Sequence, residues 1–216
     1  AGYAVTLAGA SKQNHFARSN SVLRYRVYPH PLRNESGFCD WLAAYVKHEA
    51  PQLVIPVTER TLGAVLGNPE LMALPCVARA SRESLDQVLD KNRTFTLAER
   101  HGVAVPESRL VTRLADLDEA LVGAEYPVVL KPAQSVTGSS SERQAHVVEY
   151  ATSEKQLRKR LTTLLKTTAV ILQPVFQGQG VGVEVLAKDG DILYAFQHRR
   201  LHEVPLTGGG SSLRVS

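Results

Sequence analysis

Over residues 1–79 short apolar runs alternate with helix-period segments, and that alternation limits the fold more than any other feature of the chain. Residues 3–8 and 25–28 are β-prone, and the second run stops at Pro29 and Pro31, which cannot continue a ladder. Phe38, Trp41, Leu42, Tyr45 and Val46 recur at i, i+3, i+4, i+7 and i+8, one face of a helix. Leu53-Val54-Ile55-Pro56-Val57 reads as a continuous apolar strand, as in a parallel sheet covered on both faces. Thr58-Glu59 opens a short helix over residues 60–66, closed by Gly67-Asn68-Pro69. Strand, helix, strand, helix predicts a parallel βαβ layer with right-handed crossovers.

The character changes after Arg79. Residues 81–89 and 92–100 form two helical segments, and Gly102 stands where a left-handed residue would end the second. Residues 103–106 are extended, and residues 114–122 are helical. Tyr126-Pro127-Val128-Val129-Leu130 is a strand that delivers Lys131-Pro132, followed by a polar loop over residues 134–143 and a strand over 146–150. Ser153 and Gln156 form a capping box for a helix carrying Leu157, Leu161, Leu164 and Leu165. Val170-Ile171-Leu172 is a buried strand. Residues 183–187 and 192–197 flank an Asp189-Gly190 turn and read as a hairpin. Together these predict α/β followed by α+β, with a boundary near residues 80–84.

Composition removes several classes. The 216 residues are 44% apolar and 21% charged, which excludes a disordered chain. A net charge of +4 is too small to announce a nucleic-acid or membrane partner. Cys39 and Cys76 are the only cysteines, too few for a disulfide framework, a four-cysteine zinc site or an iron–sulfur cluster; a reducing cytoplasm is the simplest compartment. No apolar run reaches the ~18–20 residues needed to span a bilayer, and the first residues lack the pattern of a secretory signal. The chain opens without Met inside a strand pattern and closes just after a Gly/Ser loop, so a piece of a longer protein is expected.

The second half carries the chemistry. Lys91 sits in a helix pair and Lys131 ends a strand, and a loop containing Gly138, Ser139, Ser140 and Ser141 follows. Ammonium groups from separate elements beside small residues suit a triphosphate, because cations neutralise phosphate and small residues let backbone N–H groups approach oxygen. For one lysine alone, a solvated surface residue would be the simpler reading. Gly178, Gly180 and Gly182 precede a strand, not a helix, so they form a turn and no dinucleotide site. His198 and His202, four apart on a strand, share a face in principle, but a third metal ligand is missing. The basic run Lys155, Arg158, Lys159 and Arg160 reads as the solvated face of an amphipathic helix.

Val129-Leu130-Lys131-Pro132-Ala133, Thr137-Gly138-Ser139-Ser140-Ser141 and Ile171-Leu172-Gln173-Pro174-Val175-Phe176-Gln177-Gly178, in that order, resemble the ATP-grasp superfamily. Leu89-Asp90-Lys91 before Gly102-Val103-Ala104-Val105-Pro106 resembles the segment by which that family enters its core. The wording is nearest to ATP-dependent carboligases related to the carbamoyl-phosphate synthase large subunit and to biotin carboxylase, and it covers nearly the whole chain.

The resemblance implies a Rossmann-like pre-ATP-grasp domain over residues 1–81 and an ATP-grasp domain over 82–216. The latter would carry a small antiparallel lid over about 126–184 and lack its C-terminal part. It implies an ATP-dependent carboxylate–amine or related ligase acting through an acyl phosphate, with a carboxylate and a nucleophile as unknown substrates. No nucleic acid or membrane is implied, and a homodimer is compatible. Lys91 and Lys131 would contact phosphates, with Ser139, Ser140 and Ser141 in the loop above them. Gln173, Val175 and Phe176 would line the adenine. Glu184 would hold the ribose or face solvent. Arg199 or Arg200, whichever points inward, would meet the γ-phosphate and acceptor, and a charged strand edge is the competing reading. The family's Mg2+ ligands, a Glu and an Asn, are expected beyond residue 216, and residues 1–216 alone are then expected to show no turnover. Two alternatives stay open: an ATP-binding module without turnover, and a basic protein that binds polyanions.

Overall fold

The computed structural model describes residues 2–138, 144–204 and 210–216. Contacts group the chain into two compact units, Ala1–Pro174 and Val175–Ser216.

The first unit opens with β1 (Thr6–Gly9) and β2 (Arg24–Val27), paired parallel from Thr6 opposite Arg24 to Gly9 opposite Val27. Three helices follow: α1 (Glu35–Glu49), α2 (Glu59–Leu66) and α3 (Pro69–Ala73). Each starts on a side-chain cap. Asn34 accepts from Gly37 N–H, Thr58 from Thr61 N–H and Asn68 from Leu71 N–H, which satisfies donors that have no intrahelical partner. Of the apolar stripe foreseen on α1, Phe38 and Leu42 are buried and Trp41, Tyr45 and Val46 are half-buried. Phe38, Cys39 and Leu42 join Ala64, Val65, Leu71 and Val77 in one core, and Tyr28 packs edge-on to Phe38 at 5.1 Å.

Leu53-Val54-Ile55-Pro56-Val57 is not the continuous strand expected. Only Val54 pairs, in a parallel bridge to Val77, while Leu53, Ile55 and Val57 are 60%, 63% and 84% exposed. Pro51 precedes the run and Pro56 lies within it, and each lacks a donor, so a longer ladder is not available there.

Next come α4 (Arg82–Val88) and α5 (Lys91–Arg100). Gly102 ends α5 at φ +71°, as expected; its N–H bonds Glu99 O at 2.9 Å and Val103 N–H bonds Ala98 O at 2.9 Å, a Schellman closure. After β3 (Arg109–Val111), the helix expected over 114–122 divides into a 3-10 turn, Leu114–Asp116, and α6 (Leu117–Leu121). Then follow β4 (Val128–Pro132), β5 (Val136–Thr137), β6 (Gln144–Ala145), β7 (Glu149–Ala151), α7 (Glu154–Leu164) and β8 (Val170–Pro174).

β3, β8, β4 and β7 form one antiparallel sheet in that order, and β5–β6 is a separate two-stranded ladder. Of the run expected as one strand over 146–150, only Glu149 and Tyr150 pair, in β7, while residues 146–148 link β6 to β7. One face of the larger sheet supplies Val111, Val128, Leu130, Ala151, Val170 and Leu172 to a second core against Leu157, Leu161 and Leu164 of α7. Half of the foreseen capping box forms: Ser153 accepts from Gln156 N–H, but the Gln156 side chain bonds Thr152 instead.

The second unit is a three-stranded antiparallel sheet, β9 (Val181–Lys188), β10 (Asp191–Val204) and β11 (Gly210–Val215), with β10 central. Asp189 and Gly190 take φ +53° and +89°, the two left-handed positions of a tight hairpin turn, as expected.

Candidate active site

In the first unit the two predicted lysines come together. Alternation on β4 points Val128 and Leu130 into the α7 core and leaves Val129 and Lys131 on the other face. β8 answers in register: Gln173 stands opposite Val129 and Ile171 opposite Lys131, so all four share that face. Lys91 arrives from elsewhere. Asp90 caps α5 by accepting from Asn92 and Arg93 N–H, and it also forms an antiparallel bridge to Gln134, with Lys91 N–H donating to Ala133 O at 2.9 Å. The start of α5 is thereby pinned to the chain just past Lys131. Lys91 Nζ donates to Ser135 Oγ at 3.1 Å.

Lys131 is half-buried, and burial pushes its pKa below 10.5; the Lys91 charge pushes in the same direction. Among the described residues neither lysine forms an ion pair. Two ammonium groups gathered without a carboxylate between them form a seat for an anion. Gln173 adds to this face. It is 3% exposed, and its Nε2 has no hydrogen-bond partner, a buried donor that costs free energy until an acceptor arrives. Beside the pair, Thr137 Oγ and His146 Nε2 lie 2.6 Å apart at the base of the β5–β6 ladder, and burial pushes the His146 imidazole below its ordinary value of 6.5. Ser139, Ser140 and Ser141 lie outside the described residues, as does the Gly/Ser loop at 207–209. A cavity of about 290 Å³ lined by Glu59, Asp86, Arg93 and Gln134 includes neither lysine, and its two carboxylates do not suit a phosphate.

In the second unit, a bulge at Leu193 decides which β10 residues face which β9 residues. Ile192 pairs with Ala187 but Tyr194 with Leu186, and the shifted register continues to His198 opposite Gly182. Without that extra residue Glu184 would share a face with Arg199; with it, Glu184 shares a face with His198 and Arg200. Of the two arginines, Arg200 is half-buried, with Glu203 Oε1 3.3 Å from Nη1, and Arg199 is exposed on the opposite face. His198 and His202 do not gather a metal. A second irregularity between Arg200 and His202 breaks the alternation, His202 bonds Ser212, and His198 Nδ1 lies 3.0 Å from Glu184 Oε1. No group of three His, Cys, Asp or Glu suited to a metal occurs among the described residues. The spaced glycines serve close packing: a Cβ on Gly182 would lie 2.8 Å from His198 Nε2, and one on Gly180 would lie 2.9 Å from Arg200 Cδ. Gln173 lies within β8, whereas Val175 and Phe176 open the second unit, with Phe176 83% exposed.

Three contacts were missed from sequence: Ser135 on Lys91, Thr137 on His146 and Glu184 on His198. The hairpin turn fixes the last only once the bulge is known.

No family model matches the chain. A curated Streptomyces coelicolor protein named as a D-alanine–D-lactate ligase is 29% identical over 144 residues, which is 65% of this chain and 39% of that protein. An L-amino acid ligase from Bacillus licheniformis superposes with a TM-score of 0.60 at 16% identity, over 90% of this chain and 44% of the other. An N5-carboxyaminoimidazole ribonucleotide synthetase from Thermus thermophilus gives 0.60 at 16%, over 93% and 49%. The chain spans less than half the length of each of these proteins. The chain thus has the fold that these ATP-dependent ligases and synthetases share, and the curated likeness points the same way.

Proposed function

We propose that this chain is the nucleotide-holding part of an ATP-dependent ligase, one that activates a carboxylate as an acyl phosphate and passes it to a nucleophile. The observation that carries the reading is the Lys91–Lys131 pair, which meets no carboxylate among the described residues and shares its face of the sheet with the unpartnered Gln173 Nε2. In this reading Lys91 and Lys131 neutralise phosphate oxygens, and Ser139, Ser140 and Ser141 lie over them. Gln173, Val175 and Phe176 meet the base, the Gln173 amide donating to it. Arg200, rather than Arg199, meets the transferred phosphoryl group. Positioning and charge neutralisation do most of the work in such transfers. The likeness to a D-alanine–D-lactate ligase and to an L-amino acid ligase supports a carboxylate such as an amino acid as the substrate class. Residues 1–81 then serve as the preceding α/β domain and 82–216 as the start of the ATP-grasp domain, with the lid over about 126–184. A cytoplasmic setting fits, and no described helix is long and apolar enough to cross a membrane.

Mg2+ accompanies ATP in ligases of this kind, but the described residues offer no cluster of ligands that fits it.

The test is a calorimetric titration of the complete protein with MgATP, followed by an assay of ADP release with D-alanine and L-amino acids. Micromolar binding and carboxylate-dependent ADP release support the reading. Binding without ADP release would leave a nucleotide-binding module, and no binding would overturn it.

A further inference from the structure

The sheet of the second unit holds a cluster that nucleotide binding leaves without a task. His198 is 4% exposed on the central strand β10. Glu184 on β9 approaches its Nδ1 at 3.0–3.1 Å, with one oxygen also 3.7 Å from Arg214 on β11. The other ring nitrogen, Nε2, is buried and has no hydrogen-bond partner. The ring lies against Gly182, where any side chain would displace it. Charged groups facing it along the sheet are Glu184 from β9, Arg200 and Glu203 from β10, and Arg214 from β11.

A carboxylate at Nδ1 selects the tautomer with the proton on Nδ1 and the lone pair on Nε2, and it stabilises the imidazolium that forms when Nε2 takes a proton. A structural histidine buried this deeply would be expected to satisfy both nitrogens. This one is held at Nδ1 by Glu184 and is buried but unpartnered at Nε2, which is the arrangement of a proton acceptor awaiting a partner. A buried unpaired acceptor is worth its cost where the partner comes from a ligand.

We infer that His198, oriented by Glu184, is the base that deprotonates the attacking nucleophile, and that this nucleophile is a proton-bearing one, an amine or a hydroxyl. The inference rests on the ligase reading above. The nucleophile's lone pair forms the new bond to the acyl carbonyl carbon, and the carbon–oxygen bond to phosphate breaks with its electron pair leaving on phosphate. The proton on the nucleophile passes to Nε2, and the imidazolium, held against Glu184, later returns it to solvent. Glu184 is a positioning residue here, and its carboxylate is committed to the ring and to Arg214, not to a ribose.

The test separates activation from ligation. Hydroxylamine intercepts an acyl phosphate without needing a base, so hydroxamate formation reports activation alone. The complete protein is assayed with ATP, Mg2+ and D-alanine or an L-amino acid, once with hydroxylamine and once with a second amino acid or D-lactate as nucleophile. In His198→Gln, ligation is expected to fall by about 100-fold or more while hydroxamate formation stays within about threefold. Glu184→Gln, which keeps size and polarity, should cut ligation by about tenfold with the same sparing. Nitrogen chemical shifts of His198 should show a proton on Nδ1 in the parent and a mixture of tautomers in Glu184→Gln, a readout that needs no substrate. If both reactions fall equally in folded variants, or if Nδ1 carries no proton in the parent, the dyad is overturned and the ligase reading stands. If the parent itself makes neither ADP nor hydroxamate, the ligase reading fails and the dyad with it.

Discussion

Lys131→Met is the variant for which the phosphate reading and a structural reading predict opposite signs. Met keeps the apolar stem of the lysine and removes the ammonium. In the unliganded protein that ammonium is half-buried, meets no carboxylate among the described residues, and is repelled by Lys91. Removing it should leave stability unchanged or raise it by up to about 1 kcal/mol. Nucleotide affinity should move the other way. One charge-assisted contact contributes about 1.5–3 kcal/mol, so MgATP should bind about 10- to 150-fold more weakly. The pH dependence follows from the same shift. With the folded pKa below 10.5, the native state sheds this proton before the unfolded chain does. Lys131 therefore costs stability while both states are protonated, and that cost fades as pH rises through the lowered value toward 10.5. A polyanion favours the protonated amine, so affinity should fall over the same pH range. Urea unfolding and calorimetric titration of both proteins at neutral and alkaline pH measure all of this. Stability loss above about 1 kcal/mol together with unchanged affinity would refute the reasoning and make Lys131 a structural residue.

Arg109 closes α6 with one nitrogen: Nη1 donates to the carbonyls of Glu119, Ala120 and Val122 at 3.0, 3.1 and 3.0 Å. Arg109→Ala should cost about 1–2 kcal/mol by urea unfolding, and a cost under about 0.5 would mean that water satisfies those carbonyls equally well. His146 is neutral in the fold because burial lowers its pKa below 6.5. Its contribution is intact above that value and is lost as pH falls through the lower folded one, so unfolding midpoints should drop on acidification. The drop should shrink in His146→Phe; an imidazole that titrates at or above 6.5 by NMR would contradict this. Gly182→Ala should weaken the second unit because its methyl group would collide with the His198 ring. An unchanged His198 spectrum in that variant would show that the ring does not lie where described.

Much of the fold was legible because local signals agreed. The helical period of Phe38 and Leu42, the helix start at Thr58, the cap at Ser153, the closing Gly102 and the Asp189-Gly190 turn each name a conformation that the structure adopts. The Leu53 to Val57 run misled because apolar composition favours a strand but does not supply a partner, and only Val54 found one. The site was legible one residue at a time and not as a constellation. Lys131 at a strand end could be read directly, whereas its proximity to Lys91 depends on the Asp90–Gln134 bridge, a contact between distant segments. In the second unit a single inserted residue at Leu193 turns His198 and Arg200, rather than Arg199, toward Glu184. Bulges leave no composition signature, so that face could not be assigned from alternation alone.

The claim that Lys91 and Lys131 hold nucleotide phosphates is tested most directly by affinity labelling. An ATP analogue with a pyridoxal aldehyde on its terminal phosphate forms an imine with a neutral amine beside the phosphate site, and borohydride makes the link permanent. Peptide mapping should find the label on Lys131 or Lys91, with Lys131 favoured because its lowered pKa leaves more neutral amine, and excess ATP should prevent it. Label on Lys155, Lys159, Lys166 or Lys188, with Lys91 and Lys131 unmodified, would contradict the account.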